Sequence, residues 1–567
     1  MEAPRAVHPE TLIAGEPWWG DSQRVSLPLG RIDLAKHDSD ELSRLLRRTA
    51  EYLLRKLYGQ PRTNLEALWQ TLEQSDQLEI AVARSLLLEN LPFYLRQLGA
   101  HNRSENLKRA LDAHAHARQR LVESECSTQS DESAVQTLRE DVRIAQKFVA
   151  SSLIGDSDAQ SAVLDAVRQK LHDLQYDMQS IPFELFQNAD DAAIELGRCE
   201  AYPAEDSIVP DAARILIVEV GEDNLRFMHW GRAINARGPA GMDGEARGWN
   251  RDLEKMLVLS STDKLTPDLT GKFGLGFKSV FLACDHPRIV SAQMRVEIVA
   301  GVLPEPWRDS REAMERLNSH TADVRLRGTL IELDTSQGGE ITSRAKLLGG
   351  ILCVFGRAIR QIRFNDPIRS INHQWRAEIV CQDIELGKWR LDNGDLNDGL
   401  AFRNKEGVVF FCLGPEGFRT LPDTIPSVWV TAPTREEESL GFAFSTTFAL
   451  DAGRGRLAGD ADNNRDLAKA LGKSLGVSLT RLYGRAESDW AGLRNSLRLS
   501  DGTSAPLFWA TLWQTLCQGW QGRPIEAATQ LGCDLSLQAL KELTRHTRQV
   551  PTGLQAPYAQ MISLDQV

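Results

Sequence analysis

The sequence predicts an α+β protein with helical regions at both ends and a glycine-rich, strand-containing centre. Apolar residues recur at helical spacing through about the first 120 residues. The central part contains runs typical of strands, such as 213–220 and 327–334, separated by turn residues. A chain of 567 residues is too long for one core, because a domain usually holds roughly 100–200 residues. We therefore expect four parts, with boundaries at 1–123, 135–340, 341–489 and 490–567.

Charge and hydropathy narrow the class of protein. The longest apolar run, 347–355, is far shorter than the about 20 residues that span a bilayer. The N-terminus lacks a charged and then apolar leader, so we expect a cytoplasmic protein without membrane contact. A net charge of −12 argues against non-specific nucleic-acid binding by the whole molecule, although it is compatible with a local basic groove. The eight cysteines are scattered and indicate neither a disulfide framework nor a zinc site.

Residues 1–123 are predicted to form a helical N-terminal region. Within it, 39–59 carries leucines at helical spacing behind Ser and Asp residues that cap helices, and it ends at a glycine. The polar stretch 124–133 interrupts this pattern and indicates the first domain boundary. A long helical region is predicted from Val135 to Met178, and Pro182 then suits the first turn of the next helix.

That next helix holds the first candidate chemistry. In FELFQNADDA, residues 183–192, the side chains of Glu184, Asn188 and Asp191 stand at i, i+4 and i+7 and share one stripe, while the apolar residues fall on the far side. Taken alone, three polar residues on one face are typical of an ordinary solvated surface. A functional interpretation depends on the segments that follow.

The second candidate is a glycine-rich segment, TGKFGLGFKSVF, at 270–281. Glycines followed by Lys278, Ser279 and apolar residues predict a turn that opens into a helix, where free backbone N–H groups attract phosphate. The segment is not a P-loop, because Phe277 separates the last glycine from Lys278. It is not a dinucleotide fingerprint either, because Ser279 stands where the third glycine belongs. A different phosphate-binding fold is needed.

The segments between these two candidates complete an ordered set. A β-hairpin is predicted at 213–229; its second strand ends at His229, and Gly231 follows two residues later. Residues 232–250 are polar and rich in glycine, which fits a mobile lid, and SSTDK at 260–264 precedes the glycine segment. A later strand begins with Thr329.

This order of parts resembles the GHKL ATPase family, which includes gyrase B, the ninety-kilodalton heat-shock chaperone, MutL and the histidine kinases. The resemblance covers Glu184 to about Leu333. Its two complete motifs are E-x-x-x-N-x-x-D, as Glu184, Asn188 and Asp191, and G-x-x-G-x-G, as Gly271, Gly274 and Gly276. The family implies a Bergerat-type helix-on-sheet nucleotide domain at 135–340 and an α/β transducer-like domain at 341–489.

The resemblance also implies ATP and Mg²⁺ as cofactors, with a role for each site residue. Glu184 is the implied catalytic residue, which orients or deprotonates the attacking water. Asn188 is the implied Mg²⁺ ligand, because that hard cation prefers oxygen. Histidine kinases usually lack such a glutamate, so hydrolysis is favoured over phosphotransfer to protein. The implied nucleotide-binding residues are Asn188, Asp191, His229, Gly231, Ser261, Lys264, Gly271, Gly274, Leu275, Gly276, Phe277, Lys278, Ser279 and Thr329.

One position departs from the family pattern. Most relatives have an Asp that accepts a hydrogen bond from the adenine amino group, and this chain has His229 there, with Ala233 in place of the second glycine. Because imidazole can accept through one nitrogen or donate through the other, adenine selectivity does not carry over. A strand ending in His-x-Gly-Arg looks like the sacsin-like branch of the family. Alternatively, His229 is a packed residue without ligand contact.

The remainder of the chain predicts a transducer and a helical C-terminal region. A helix predicted at 347–362 leads to strand-rich sequence and then to a predicted strand at 442–450. Arg454, in the following loop, is the first candidate for a second catalytic residue that reaches the γ-phosphate, and Arg456 is the second candidate. The alternative for Arg454 is a surface position in a glycine-rich turn. The tryptophans of 490–567 are more typical of a core or a subunit contact than of a ligand site.

These features predict a Mg-dependent, ATP-hydrolysing conformational switch similar to sacsin-like GHKL ATPases, with a chaperone-like role or a role in bacterial defence. The expected partners are ATP and an unknown protein client or partner subunit, with a nucleotide-dependent homodimer as one arrangement. One alternative is a nucleotide-gated binding scaffold that does not hydrolyse. The other is a DNA-acting GHKL ATPase similar to gyrase B or MutL.

Overall fold

The protein is a mixed α+β structure of two compact units. The first contains the described residues of Met1–Asp173, Asp177–Ile341 and Asn365–Ile368, and the second those of Leu174–Tyr176, Thr342–Phe364 and Arg369–Val567. The computed structural model describes residues 91–100, 103–126, 132–196, 211–235, 249, 252–257, 276–292, 294–320, 328–381, 383–390, 396–414, 417–430, 432–436, 441–450, 456–458 and 462–483. Among these residues, no helix has the length and apolarity of a membrane span.

Among its described residues, the first unit contains six α-helices, and residues 91–97 are also helical. Ser104 caps the first of them by accepting a hydrogen bond from the Leu107 backbone N–H at 3.3 Å. The predicted helical region 135–178 is interrupted at Asp156, whose carboxylate accepts from the backbone N–H groups of Asp158 and Ala159 and so starts a new helix. The helices are α1 (Glu105–Glu125), α2 (Glu132–Gly155), α3 (Ser157–Asp173), α4 (Ile181–Leu196), α5 (Asp252–Leu257) and α6 (Arg311–Ser319).

The described part of the first unit has six strands in the order β1-β2-β6-β3-β4-β5, and every neighbouring pair is antiparallel. The predicted hairpin is confirmed as β1 and β2, and the predicted strand at 327–334 is confirmed as β6. The sequence did not reveal β3 to β5. The strands are β1 (Ile215–Val220), β2 (Asn224–His229), β3 (Arg288–Ser291), β4 (Met294–Val299), β5 (Leu303–Pro306) and β6 (Thr329–Asp334).

Charged side chains fix the register of β2, β6 and β3. Glu332 lies opposite Arg226 on one side and Arg288 on the other, and its two oxygens are 2.5 Å and 3.0 Å from their guanidinium nitrogens. This face of the sheet also packs an apolar cluster of Met228, Val290, Leu330 and others against α6. Because side chains alternate along a strand, His229, Ser291 and Thr329 belong to the opposite face.

The second unit has a sheet in the order β14-β13-β15-β11-β10-β9-β8-β7, with β12 paired to β11. Most of α7 (Gly338–Phe355) and α8 (Asp462–Tyr483) belong to this unit. Its strands are β7 (Gln361–Asn365), β8 (Ser370–Cys381), β9 (Ile384–Arg390), β10 (Leu396–Asn404), β11 (Gly407–Gly414), β12 (Gly417–Arg419), β13 (Val428–Val430), β14 (Ala432–Pro433) and β15 (Ala443–Ser445).

Two sequence predictions in this unit were wrong in extent. The helix predicted to reach 362 ends at Phe355, because Arg360 and Arg403 donate to the carbonyl groups of its last turn and of Gly356, and β7 starts at Gln361. The strand predicted at 442–450 is limited to Ala443–Ser445.

Candidate functional site

Helix α4 carries the predicted polar stripe, and it is buried on nearly every side. Across this fully described helix, Asn188 is the one exposed residue. Glu184 is only 8% exposed, and Asp191 is half-buried. The stripe is therefore the least buried side of a mostly buried helix, and only Asn188 on it has the exposure that an ordinary solvated face would show.

The first of two glycine turns lies against the Glu184 end of α4. A Cβ added at Gly276 would lie 2.5 Å from Glu184 Oε2, so a residue with a side chain would displace the carboxylate. Gly276 has helical dihedrals that any residue adopts, so close approach explains the glycine here, not conformational freedom. The turn continues into a 3₁₀ helix, Phe277–Leu282, and the Ser279 hydroxyl donates to the Gly276 carbonyl at 2.7 Å. The structure thus brings Glu184 and the glycine segment together.

The second glycine turn lies against the other end of α4. A Cβ added at Gly231 would lie 2.5 Å from the Ala192 carbonyl carbon and 2.6 Å from the Ala193 nitrogen. The backbone N–H of Arg232 donates to the Ala192 carbonyl at 2.7 Å. Gly231 therefore allows the chain leaving β2 to touch the helix backbone.

The helical rise gives the distance between the contact of Gly276 with Glu184 and the contact of Gly231 with Ala192. Glu184 and Ala192 are eight residues apart, which is about 12 Å at 1.5 Å per residue. At 100° per residue, Glu184, Asn188, Asp191 and Ala192 lie within about 100° of one another around the axis. The exposed Asn188 thus stands between two chain segments that approach the same side of α4.

Three polar residues lie side by side at the ends of three neighbouring strands, beside the second turn. His229 lies opposite Thr329, and Thr329 lies opposite Ser291 in the next pair of strands. The hydroxyls of Ser291 and Thr329 are hydrogen-bonded at 2.7 Å, and the backbone N–H of Ile234 donates to Ser291 Oγ at 2.8 Å. Ser291 was missed in the sequence, because β3 is a four-residue strand without a clear alternating pattern.

No protein-family model matches this chain, and no curated protein matches it. The GHKL resemblance consequently stays a prediction that rests on the motifs and on the geometry of α4.

His229 has a defined protonation state. Its ring is 8% exposed, and its Nδ1 accepts a hydrogen bond from the Gly231 backbone N–H at 3.2 Å. Burial, followed by the positive charge of Arg232, lowers the pKa of His229 to about 4. The imidazole is therefore neutral near pH 7, with its single proton on Nε2.

Arg232 is a second residue whose role the sequence did not show. Its guanidinium donates to Glu195 Oε2 and to Asp252 Oδ2, both at 2.7 Å, and lies 4.4 Å from the Trp249 ring centroid. Trp249 Nε1 in turn donates to Glu195 Oε1 at 3.2 Å. Burial raises the pKa of Asp252, and the arginine opposes that shift. A buried, paired arginine thus fixes the chain on both sides of 236–248; the only sequence signal was its position directly after Gly231.

Lys278 lies in the protein interior. Its side chain is 0% exposed, its Nζ donates to the Met256 carbonyl at 3.1 Å, and it lies 5.6 Å from the Tyr94 ring centroid. Burial lowers its pKa well below the ordinary lysine value. Phe277 and Ser279 are also buried. Of the described residues of the glycine segment, Gly276 lies directly against the Glu184 carboxylate.

Six predicted site residues lie outside the described residues: Ser261, Lys264, Gly271, Gly274, Leu275 and Arg454. Within the described part of the chain, no group of three or more His, Cys, Asp or Glu side chains has the arrangement of a metal site. An ion at Asn188 would need most of its oxygen ligands from a bound phosphate and from water, as is usual for Mg²⁺.

Proposed function

We propose that the first unit binds a nucleoside triphosphate with Mg²⁺ along α4 and hydrolyses it, with a Bergerat-type arrangement similar to sacsin-like GHKL ATPases. The observation that carries the proposal is that two glycine turns contact α4 about 12 Å apart, with the exposed Asn188 between them. A nucleotide lying along this side has its phosphates near Glu184 and its base near His229. The resemblance names ATP as the nucleotide.

The roles of Glu184 and Asn188 are those that the resemblance implies, and the surroundings of both residues are compatible with those roles. Glu184, held against the turn at Gly276, serves as general base or orients the attacking water. Asn188 offers an amide oxygen, which fits the ligand preference of Mg²⁺. Bound Mg²⁺ would supply countercharge to the phosphates. Thr329 and Ser291 offer hydroxyls that can donate or accept beside His229.

Hydrolysis would serve a conformational switch only if the open and closed states differ in their contacts with the nucleotide. In the family, a basic side chain of the transducer provides such a contact, and Arg454 is the proposed counterpart. The nature of the client or partner follows only by analogy, as a chaperone-like substrate or a component of a defence system, in the cytoplasm.

One observation favours the non-hydrolysing scaffold as a second candidate. With Lys278 buried against Met256, its amine is not available to a phosphate in this conformation. A site with one cation fewer stabilises the transition state less, although it can still bind nucleotide.

Two variants and a control separate these functions. We expect Mg²⁺-dependent nucleotide binding by wild type and a fall of about 10²- to 10⁴-fold in single-turnover hydrolysis for Glu184→Gln, with binding retained. Asn188→Ala should lose the Mg²⁺-dependent part of the affinity, whereas Asn318→Ala, an exposed asparagine on α6, should behave as wild type. Binding without hydrolysis by wild type would favour the scaffold. Absence of binding by every nucleoside triphosphate would overturn the proposal.

A further inference from the structure

His229 presents one hydrogen-bond donor and no acceptor to a ligand. Its Nδ1 is already the acceptor for the Gly231 backbone N–H at 3.2 Å, so the neutral ring carries its proton on Nε2. The part of the chain that the structure describes provides no hydrogen-bond partner for Nε2. An acidic residue at the same position would offer the opposite character, two acceptor oxygens.

The surrounding contacts hold this tautomer in place. Gly231 is fixed against the α4 backbone, and the next residue donates to the Ala192 carbonyl, so the Gly231 N–H cannot turn to another acceptor without moving the helix contact. Rotating the imidazole would leave that N–H unsatisfied in a buried position, which is costly. The charge of the nearby Arg232 further opposes protonation of the ring.

Resting on the proposed function, we propose that His229 reads the base and that the site prefers a 6-oxopurine triphosphate, such as GTP or ITP, over ATP. The 6-oxo oxygen is an acceptor for Nε2–H. The 6-amino group of adenine is a donor, and it would set two donors against each other at a buried position. The adjacent hydroxyls of Thr329 and Ser291 discriminate little, because each can donate or accept.

The test is a binding titration with the Mg²⁺ complexes of ATP, GTP and ITP, using slowly hydrolysed analogues. Wild type is expected to bind GTP and ITP about 10- to 100-fold more tightly than ATP, because an unpaired buried donor weakens binding by that order. ITP separates the effect of the 6-oxo group from that of the 2-amino group of guanine. His229→Asp replaces the donor with acceptors and should reverse the preference toward ATP. His229→Asn, whose amide can turn to donate or accept, should bind the purines with similar affinity.

The outcomes distinguish this inference from the proposed function. Wild type that binds ATP as tightly as GTP or more tightly would overturn the base preference while the nucleotide site stands. The same conclusion follows if His229→Asp binds with unchanged preference and melts at the wild-type temperature. If neither wild type nor variants bind any of the three nucleotides, the proposed function fails, and the base preference fails with it.

Discussion

Gly276 and Gly231 both lie against α4, but their replacement by alanine is expected to have different effects. Gly276→Ala should impair hydrolysis with little change in stability, whereas Gly231→Ala should destabilise the fold. At Gly276 the new Cβ would lie 2.5 Å from Glu184 Oε2, and the dihedrals of φ −52° and ψ −55° already suit alanine. The obstacle is the end of a flexible side chain, so the carboxylate can move aside. We expect the free energy of unfolding to change by less than about 1 kcal/mol, since alanine also restricts the unfolded chain.

At Gly231 the obstacle is backbone. The new Cβ would lie 2.5 Å from the Ala192 carbonyl carbon and 2.6 Å from the Ala193 nitrogen, within a buried helix that cannot yield locally. Overpacking of this kind typically costs about 1–3 kcal/mol of unfolding free energy, occasionally more. Gly231→Ala should therefore unfold at a clearly lower urea concentration than Gly276→Ala.

Hydrolysis, in contrast to stability, should be specifically impaired by the Gly276 substitution. Gly276→Ala displaces the proposed base without unfolding the protein, so single-turnover hydrolysis should fall toward the about 10²- to 10⁴-fold loss expected for removing Glu184, with nucleotide binding retained. Urea unfolding and single-turnover hydrolysis of both variants make the comparison. Wild-type hydrolysis by Gly276→Ala, or wild-type stability of Gly231→Ala, would show that α4 is not contacted as described.

Three further predictions concern buried charges. Burial lowers the folded-state pKa of Lys278, so the unfolded chain binds more protons than the folded protein as pH rises toward about 10.4. Wild type should therefore gain stability over this pH range, and Lys278→Met should lack that gain. Equal slopes of unfolding free energy between pH 7 and 10 for the two proteins would contradict this. The pKa of His229 is about 4 in the folded protein and about 6.5 in the unfolded chain, so wild type should lose up to about 3 kcal/mol of unfolding free energy as pH falls from above 6.5 to about 4. In urea titrations at several pH values, His229→Asn should lack this loss. Arg232→Met leaves the buried Glu195 and the half-buried Asp252 without their countercharge and should cost about 3–5 kcal/mol. The control Arg311→Met removes a 90% exposed partner of Glu315 and should cost at most about 0.5 kcal/mol in the same urea assay.

The elements that the sequence predicted correctly are those whose signals are local. The hairpin of β1 and β2 combines apolar runs with a short polar turn, and α4 has a proline in its first turn. The motif spacing also identified the residues that meet at the helix, because Glu184 and Gly276 are adjacent in space despite being 92 positions apart. A glycine that is required for close contact can be recognised in the sequence even when the residue it contacts is far away along the chain.

The features that the sequence did not predict depend on distant segments. A lysine after a glycine turn looks like a phosphate ligand, and only the positions of Tyr94 and Met256 place Lys278 in the interior. Likewise, the end of α7 depends on donation from Arg403 in β10, which helical periodicity cannot show. His229 was recognised as a departure, but its donor character required the position of the Gly231 N–H.

The composition of α4 argues that its polar residues are present for reasons other than stability. Glu184, Asp190 and Glu195 are all buried on this one helix. Burying carboxylates is costly, and apolar residues of similar volume are often neutral or stabilising in their place. Glu195 is explained by its pairing with Arg232, which fixes the chain beyond β2. Glu184 has its carboxylate directly against a glycine that makes room for it, next to the one exposed residue of the helix. Gly276 has no side chain that would displace the Glu184 carboxylate, which is the arrangement that the proposed general base requires.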